Sequence, residues 1–390
     1  MALFSRKAPK RKLRAIFDIA DSGVNVAVVS TEAARPRLIW SHHEPLEINN
    51  YKDNEAEHQS VLNALTKAIN RLRTDGFAAV EKAGFNAAVQ EVAGVLSAPW
   101  QLEEVVSSRL KKADPFRITD EHVSSARQLA HQSFLRRVRE RGQHSGRNLN
   151  HFSQRITAVQ ADGQPVDLSY KEPVRDLQLR MHISKIPKKT HERIRRVFGQ
   201  SFHPDILSFH SATDLISRVL TRTFTHPQDF LIISPSRHGT SSWFVENGEL
   251  EGVTSHAIGE DFLFRTSAAA LDRTIADIQS RLSLKRQVRL HANQEPALVA
   301  CLKEIGRRFQ TLLLENIDQI TSGQPPRHVY LMLPAGTAGD IFQNFFAETM
   351  QELEGLEVHV ITSDLLASQF HASQPIHPRL ACGILGTGEY

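Results

Sequence analysis

Short apolar runs separated by polar turns open the chain. Ile16–Ile19 and Val24–Ser30 read as two strands around the turn Ala20-Asp21-Ser22-Gly23, and "PRLIWSHHEPL" predicts a third. Val61, Leu65, Ala68, Ile69 and Leu72 then recur at helical spacing within Glu55–Gly84, and "QEVAGVLSAPW" reads as a buried strand stopped at Pro99. The next hundred residues have a different texture. "DPFRITDEHVSSARQLA" predicts a strand running into a helix capped at Thr119, and the Arg-rich "RRVRERGQHSGRNLNHFSQRI" predicts an exposed loop at its centre. "RITAVQADGQPVDLSY" is a hairpin turning at Asp162-Gly163, "LQLRMHISKIP" alternates as a strand, and "KKTHERIRRVFGQSF" is a helix ending near Gly199.

A strand-and-helix rhythm then resumes. "DILSFHS" and "DFLIISPS" are strands on either side of the helix "ATDLISRVLTRTF", and a hairpin follows with its turn at Asn247-Gly248. Two helices are expected over Glu260–Leu284 and Glu295–Gln319. "HVYLMLPAGTAG" is a strand entering a glycine-containing loop, followed by the helix "DIFQNFFAETMQEL" and the strand "LEVHVITS". Strand–turn–strand opens both Ala15–Ser30 and Phe230–Val245, so the second half echoes the first.

Bulk properties narrow the picture. The 390 residues suffice for two lobes with cores of their own, and 41% hydrophobic with 23% charged residues is ordinary globular composition. A net charge of +4 is too small to make the chain as a whole a nucleic-acid binder. Cys301 and Cys382 have no paired spacing, which excludes a disulfide framework and a cysteine zinc cluster and fits a reducing cytoplasm. No apolar run reaches the length of a membrane span, and the basic start "MALFSRKAPKRKLR" lacks the apolar core of a signal peptide. The expectation is a soluble intracellular protein.

The order and spacing of several blocks carry more. "FDIADSGVNVAVV", "VAGVLSAPWQ" with "PFRITDEHV", "LQLRMHISKIPKKTHERIRRVF", and "FLIISPSRHGTSSWFVENGEL" with "SHAIGEDFL" together resemble the FtsA cell-division and PilM type IV pilus-assembly families, from Leu13 to Leu385. The resemblance implies an α/β fold, actin-like (ribonuclease H-like), of two lobes with an inserted small α+β domain of SHS2 type. A basic tail would cover 1–13, the first lobe 14–98, the insert 99–202 and the second lobe 203–390. It also implies a cleft in which a hairpin turn from each lobe donates to ATP phosphates while an aspartate from each lobe orients magnesium or water.

On that template the nucleotide set is Asp18, Ser22 and Gly23 from the first turn, Ser234, Ser236 and Gly239 from the second, and Gly336 and Gly339 from the adenosine-side loop. Each turn departs from the pattern. The first should read Asp-x-Gly-Ser-Ser and reads Asp18-Ile19-Ala20-Asp21-Ser22, which places a carboxylate where a hydroxyl should meet phosphate. Two unit charges about 4 Å apart repel by roughly 4 kcal/mol near a protein surface. The second should read Asp-x-Gly-Gly and reads Ser234-Pro235-Ser236-Arg237-His238-Gly239; its aspartate is a serine, and Pro235 has no N–H to donate. The third, Pro334-Ala335-Gly336-Thr337-Ala338-Gly339, is shifted. The expectation is a chain that is not an enzyme and has no catalytic residues, with ATP and magnesium bound weakly if at all. The alternative of a different class is an active ATPase or kinase whose phosphate turn uses Arg237 and His238.

Nineteen histidines invite a metal reading, but His42-His43, His203 with His210, and His371 with His377 lack helical i, i+4 pairing or a nearby carboxylate. Pro204 and Pro378 place His203 and His377 in turns, and no metal site is expected. No Gly-x-Ser-x-Gly elbow or other placed nucleophile is present.

Three basic segments, Arg6–Arg14, Arg136–Arg155 and Lys185–Arg196, are candidates for contact with an anionic membrane surface, where each cation contributes on the order of 1 kcal/mol. The N-terminal tail is the foremost of them. Aromatic residues do not interleave with the arginines, which argues against nucleic acid. The end "LACGILGTGEY" lacks the length and charge of the amphipathic membrane helix of FtsA-type proteins, which tilts the resemblance towards PilM. That likeness implies a scaffold, cytoplasmic and peripheral to the inner membrane, that recruits the cytoplasmic tail of an inner-membrane partner for type IV pilus or related assembly. Trp100, Phe116 and Arg117, where the insert begins, are the expected lining of a partner groove between first lobe and insert. An FtsA-like division protein tethering filaments is the close alternative, and self-association stays open.

Overall fold

The computed structural model describes residues 12–31, 35–46, 54–85, 88–140, 148–224, 229–334 except 289–295, 337–350, 355–367, 369–371 and 376–387. They form two compact units, Met1–Thr223 with Thr362–Tyr390, and Phe224–Ile361.

In the first unit β1 (Leu13–Ile19), β2 (Gly23–Ser30) and β3 (Arg37–Pro45) form an antiparallel meander. The helix expected over Glu55–Gly84 is interrupted: α1 (Asn54–Arg71) passes through a π-helical turn, Leu72–Gly76, into α2 (Phe77–Lys82). Gly76 lies against Trp40 and Leu72, where a Cβ would come within 3.1 Å of the indole and 2.8 Å of the leucine side chain. β4 (Glu91–Leu96) joins β1 in parallel.

The middle block then follows as β5 (Leu102–Phe116), α3 (Asp120–Glu140), β6 (Leu149–Ala161), β7 (Gln164–Pro165), β8 (Val174–Pro187) and α4 (Lys188–Gly199). Its sheet has the order β5-β8-β6-β7, with α3 packed on Val106, Met181 and Ile183 through Phe134 and Val138. Strand β5 starts much earlier than "DPFRI" suggested. The Arg-rich segment is ordered at both ends, as the tail of α3 and the start of β6, while its centre, 141–147, lies outside the described residues. β9 (Leu207–Ser211) and α5 (Ala212–Thr223) complete a five-stranded sheet of order β3-β2-β1-β4-β9.

The second unit repeats that arrangement. β10 (Phe230–Pro235), β11 (Thr240–Glu246) and β12 (Glu249–His256) are an antiparallel meander. β13 (His328–Leu331) and β14 (Glu357–Val360) extend it in parallel, giving the order β12-β11-β10-β13-β14. The single helix expected over Glu260–Leu284 is two, α6 (Glu260–Ala270) and α7 (Ile275–Val288). The chain breaks between them because Asp272 takes φ 50° and Thr274 caps the next turn, its Oγ1 accepting from Asp277 N at 3.1 Å. α8 (Pro296–Thr321) and α9 (Thr337–Met350) finish the core over Leu231, Ile233, Val329 and Leu331.

The chain then rejoins the first unit with α10 (Ser363–Ala367) and α11 (Pro378–Gly386). The residues from Thr362 on, together with β9 and α5, thus cluster with the first unit, although the reading above grouped them with the second lobe. Strand β1 explains why. Leu13, Ala15, Phe17 and Ile19 face α1 and α4 through Leu65, Ala68, Ile194 and Phe198, so α4 contributes to the lobe's core as well as to the insert. The alternate face, with Ile16 and Asp18, also has to be covered, and α11 covers it. A Cβ on Gly383 would lie 3.3 Å from Ile16 Cγ2, and one on Gly386 would lie 2.8 Å from Leu215 Cδ2 of α5. Lacking side chains, these glycines let α11 lie close to the sheet and to α5.

Candidate functional site

Asp18 sits one residue before the end of β1, and strand register builds a polar row around it. Asp18 pairs with Asn25 across β1 and β2, and Asn25 pairs with His43 across β2 and β3. Asn25 Nδ2 donates to Asp18 Oδ2 at 2.9 Å. Asn25 Oδ1 lies 2.8 Å from His43 Nδ1, which must therefore carry the proton. The imidazole stays neutral: burial, then His42, holds its pKa below the ordinary value.

The other carboxylate oxygen is taken by the chain's end. Arg379, in the first turn of α11, donates from Nη2 to Asp18 Oδ1 at 2.9 Å and to Ser97 Oγ at 2.7 Å. The side chains of Asp18 and Arg379 are 1% and 12% exposed, so this is a buried ion pair with hydrogen bonds on both carboxylate oxygens. The helix is positioned locally by its sequence: Pro378 stands at the first helical position, and His377 Nδ1 accepts from Arg379 N at 3.3 Å as the N-cap. Burial pushes His377 down to about 4, which preserves the acceptor lone pair this cap needs. His377 is thus a helix cap where a turn was expected, and His203 caps the 3₁₀ turn Pro204–Ile206 in the same way. Beside them the Cys382 thiol is pushed up to about 12, by burial first and then by Asp18, so it is no nucleophile.

The rest of the first turn is closed as well. Ala20 N donates to Gly23 O at 2.9 Å, Asp21 is buried at 1% exposure, and Ser22 is the exposed residue. Gly23 meets β3: a Cβ there would fall 2.6 Å from Glu44 O and from His43 Cε1.

In the second unit Ser234 is buried and its Oγ donates to Met332 O at 3.4 Å, while Ser236 Oγ donates to Gly239 O at 3.0 Å. The turn's carbonyls serve α6: Glu260 N donates to Ser236 O at 3.0 Å and Asp261 N to Arg237 O at 2.9 Å. Gly259 lies so close that a Cβ would be 2.4 Å from Gly239 N, 2.5 Å from Ser236 O and 2.6 Å from Arg237 O. Arg237 and His238 both face the buried Asp261, with Arg237 Nε 3.1 Å and His238 Nδ1 3.8 Å from its carboxylate oxygens. Gly339 is buried in the first turn of α9, under Pro334 O, where a Cβ would come within 2.2 Å; Gly336 lies outside the described residues.

Trp100, Phe116 and Arg117 are not brought together. Trp100 is 2% exposed in the core of the first lobe, whereas Phe116 ends the 15-residue β5. At about 3.3 Å per residue that strand separates them by tens of ångströms. Phe116 is half-buried against His122, with Lys112 over its ring, and Arg117 is exposed. A hollow does exist next to Trp100. His58, Val61 and Leu62 of α1 and Thr190, Arg193 and Ile194 of α4 line it, and the His58 ring lies 5.5 Å from the indole. Some residues of the basic segments form ion pairs within the fold: Arg14 with Glu91, Arg137 with Glu104, Arg155 with Asp214 and Arg193 with Glu55. Residues 6–11 lie outside the described residues.

Sequence reasoning did not single out Asn25, Asp261 or Arg379, and weighed His43 only as a metal ligand beside His42. The one legible signal was "HPRL", a proline at a helix start behind a capping side chain.

Two sheets with one strand order, the first interrupted between β4 and β9 by a small α+β insert, define an actin-like fold. The sequence matches no protein-family model and no curated relative. Among solved structures, the chain is similar to PilM of the PilM-PilN type IV pilus biogenesis complex. The identity is 12% and the TM-score 0.63, over 97% of this chain and 98% of that one. Weaker likenesses, both at TM-score 0.43, are to a Bacteroides thetaiotaomicron protein with an actin-like ATPase fold and unknown function, and to the ethanolamine utilization protein EutJ from Carboxydothermus hydrogenoformans. The first is 9% identical over 92% of this chain and 93% of that one, the second 11% over 97% and 91%. None of the helices among the described residues is long and apolar enough to cross a membrane.

Proposed function

We propose that the chain is a PilM-like scaffold that holds the cytoplasmic tail of an inner-membrane protein for type IV pilus or related assembly, and that it does not turn over ATP. The observation that carries this reading is the Arg379–Asp18 pair. The carboxylate the resemblance assigns to magnesium already has two hydrogen-bond donors, one of them a cation. A metal would have to displace a guanidinium that is itself bonded to Ser97. In the alternative reading Arg237 and His238 would form an atypical phosphate site, but both face Asp261. The tail-binding half rests on the whole-chain likeness to PilM.

Calorimetric titration with magnesium-ATP tests the first half. No heat is expected up to about millimolar nucleotide. Binding tighter than about 100 µM, on the order of 5.5 kcal/mol, overturns it. Immobilised N-terminal tail peptides of the inner-membrane proteins encoded beside this chain test the second half: at least one should retain the protein, and retention by none sinks the scaffold reading.

A further inference from the structure

The second unit carries a cluster that neither phosphate turn uses. Strands β13 and β14 run parallel with His328 opposite Glu357 and Tyr330 opposite His359. Side chains two apart on a strand share a face, so His328, Glu357 and His359 converge on one side of the sheet edge. His328 Nδ1 lies 3.3 Å from Glu357 Oε2 and 3.4 Å from His359 Nε2, and all three atoms are within 4.8 Å of one another.

We propose that these three residues form a Zn²⁺ site. Zinc takes imidazole nitrogen and carboxylate oxygen at about 2.0–2.2 Å in a tetrahedron, whose edges are then about 3.3 Å. Two of the separations match that edge, and the third, between Glu357 and His359, is within 4.8 Å. The donor set, two imidazoles and a carboxylate, suits a borderline transition ion and not the all-oxygen shells of calcium or magnesium. The surroundings fix the ligands. Arg327 Nη2 holds Glu357 through Oε1, leaving Oε2 towards His328. The His359 ring stacks on Tyr330 at 5.2 Å, and Tyr330 stacks on Phe224 at 4.7 Å. Such supporting contacts orient metal ligands and sharpen affinity. The side chains of His328 and Glu357 are 21% and 42% exposed, which leaves an entry path and a fourth position for water. Bound there, zinc would tie β14, the edge strand, to β13.

The full chain, stripped with chelator, is titrated at neutral pH with Co²⁺ followed by its visible absorption, and then with Zn²⁺. The expected result is one tetrahedral Co²⁺ per chain, displaced by Zn²⁺, with His328→Ala and His359→Ala each losing it and Glu357→Gln weakening it by about 10- to 100-fold. His42→Ala, which alters a histidine–glutamate pair elsewhere, is expected to leave it unchanged. An alanine variant that fails to fold is replaced by His328→Asn or His359→Asn. Absence of tetrahedral bands in the wild-type chain, or bands that survive both histidine substitutions, overturns the site.

Discussion

Replacing Arg379 by methionine tests the buried pair directly. The substitution keeps an unbranched side chain of similar reach and removes the cation from a carboxylate that is 1% exposed. Two unit charges about 4 Å apart at an effective dielectric near 20 attract by about 4 kcal/mol, and removing one partner of a buried pair costs about 3–5 kcal/mol. The hydrogen bond to Ser97 adds about 1 kcal/mol. An expected loss of about 4 kcal/mol lowers the melting temperature of the first unit by about 10 °C, at about 2–4 °C per kcal/mol for a unit of this size. Asp18→Asn alone costs less, because Arg379 at 12% exposure can reach water and the amide still accepts. The double variant no longer holds an uncompensated charge and recovers at least about 2 kcal/mol relative to the sum of the singles. Calorimetric melting of the four proteins completes the cycle. Additive single losses, or an Arg379→Met protein that melts with wild type, refute the claim that Asp18 is committed to α11.

Gly259→Ala is expected to destabilise the second unit by about 2 kcal/mol or more, because its Cβ would press on three backbone atoms of the β10–β11 turn at 2.4–2.6 Å; an unchanged second-unit transition in calorimetry refutes this. Acid should destabilise the first unit through His210, which burial pushes down to about 4. The unfolded imidazole binds its proton near pH 6.5 and the folded one only near 4, so this stability is complete above about 6.5 and is lost as pH falls towards 4. His210 is 9% exposed, and the effect is on the order of 3 kcal/mol across that window. Urea midpoints measured at several pH values check it, and a His210→Phe protein with the same pH slope as wild type counts against it.

Much of the fold could be read from local pattern. The apolar runs either side of a turn in Ala15–Ser30 and Phe230–Val245, the Asp162-Gly163 and Asn247-Gly248 turns with positive φ at all four residues, and the spacing of Val61, Leu65 and Ala68 each encode backbone conformation within a few residues. The departures of both turns from the pattern the resemblance implies could be read there too, because motif letters are local. The helix breaks at Leu72–Gly76 and near Asp272 could not. The first depends on Trp40 packing over Gly76, and the second on one residue adopting a left-handed conformation.

What the sequence by itself determined is most of the strands and the repeated meander that opens each half. What only the tertiary structure decided is where the chain's end goes and what Asp18 does. Arg379 stands 361 residues from Asp18 along the chain, and no periodicity links them. They meet because both faces of β1 are apolar enough to need cover, and the face left by α1 and α4 is completed by α11, which brings its first-turn cation to a buried carboxylate.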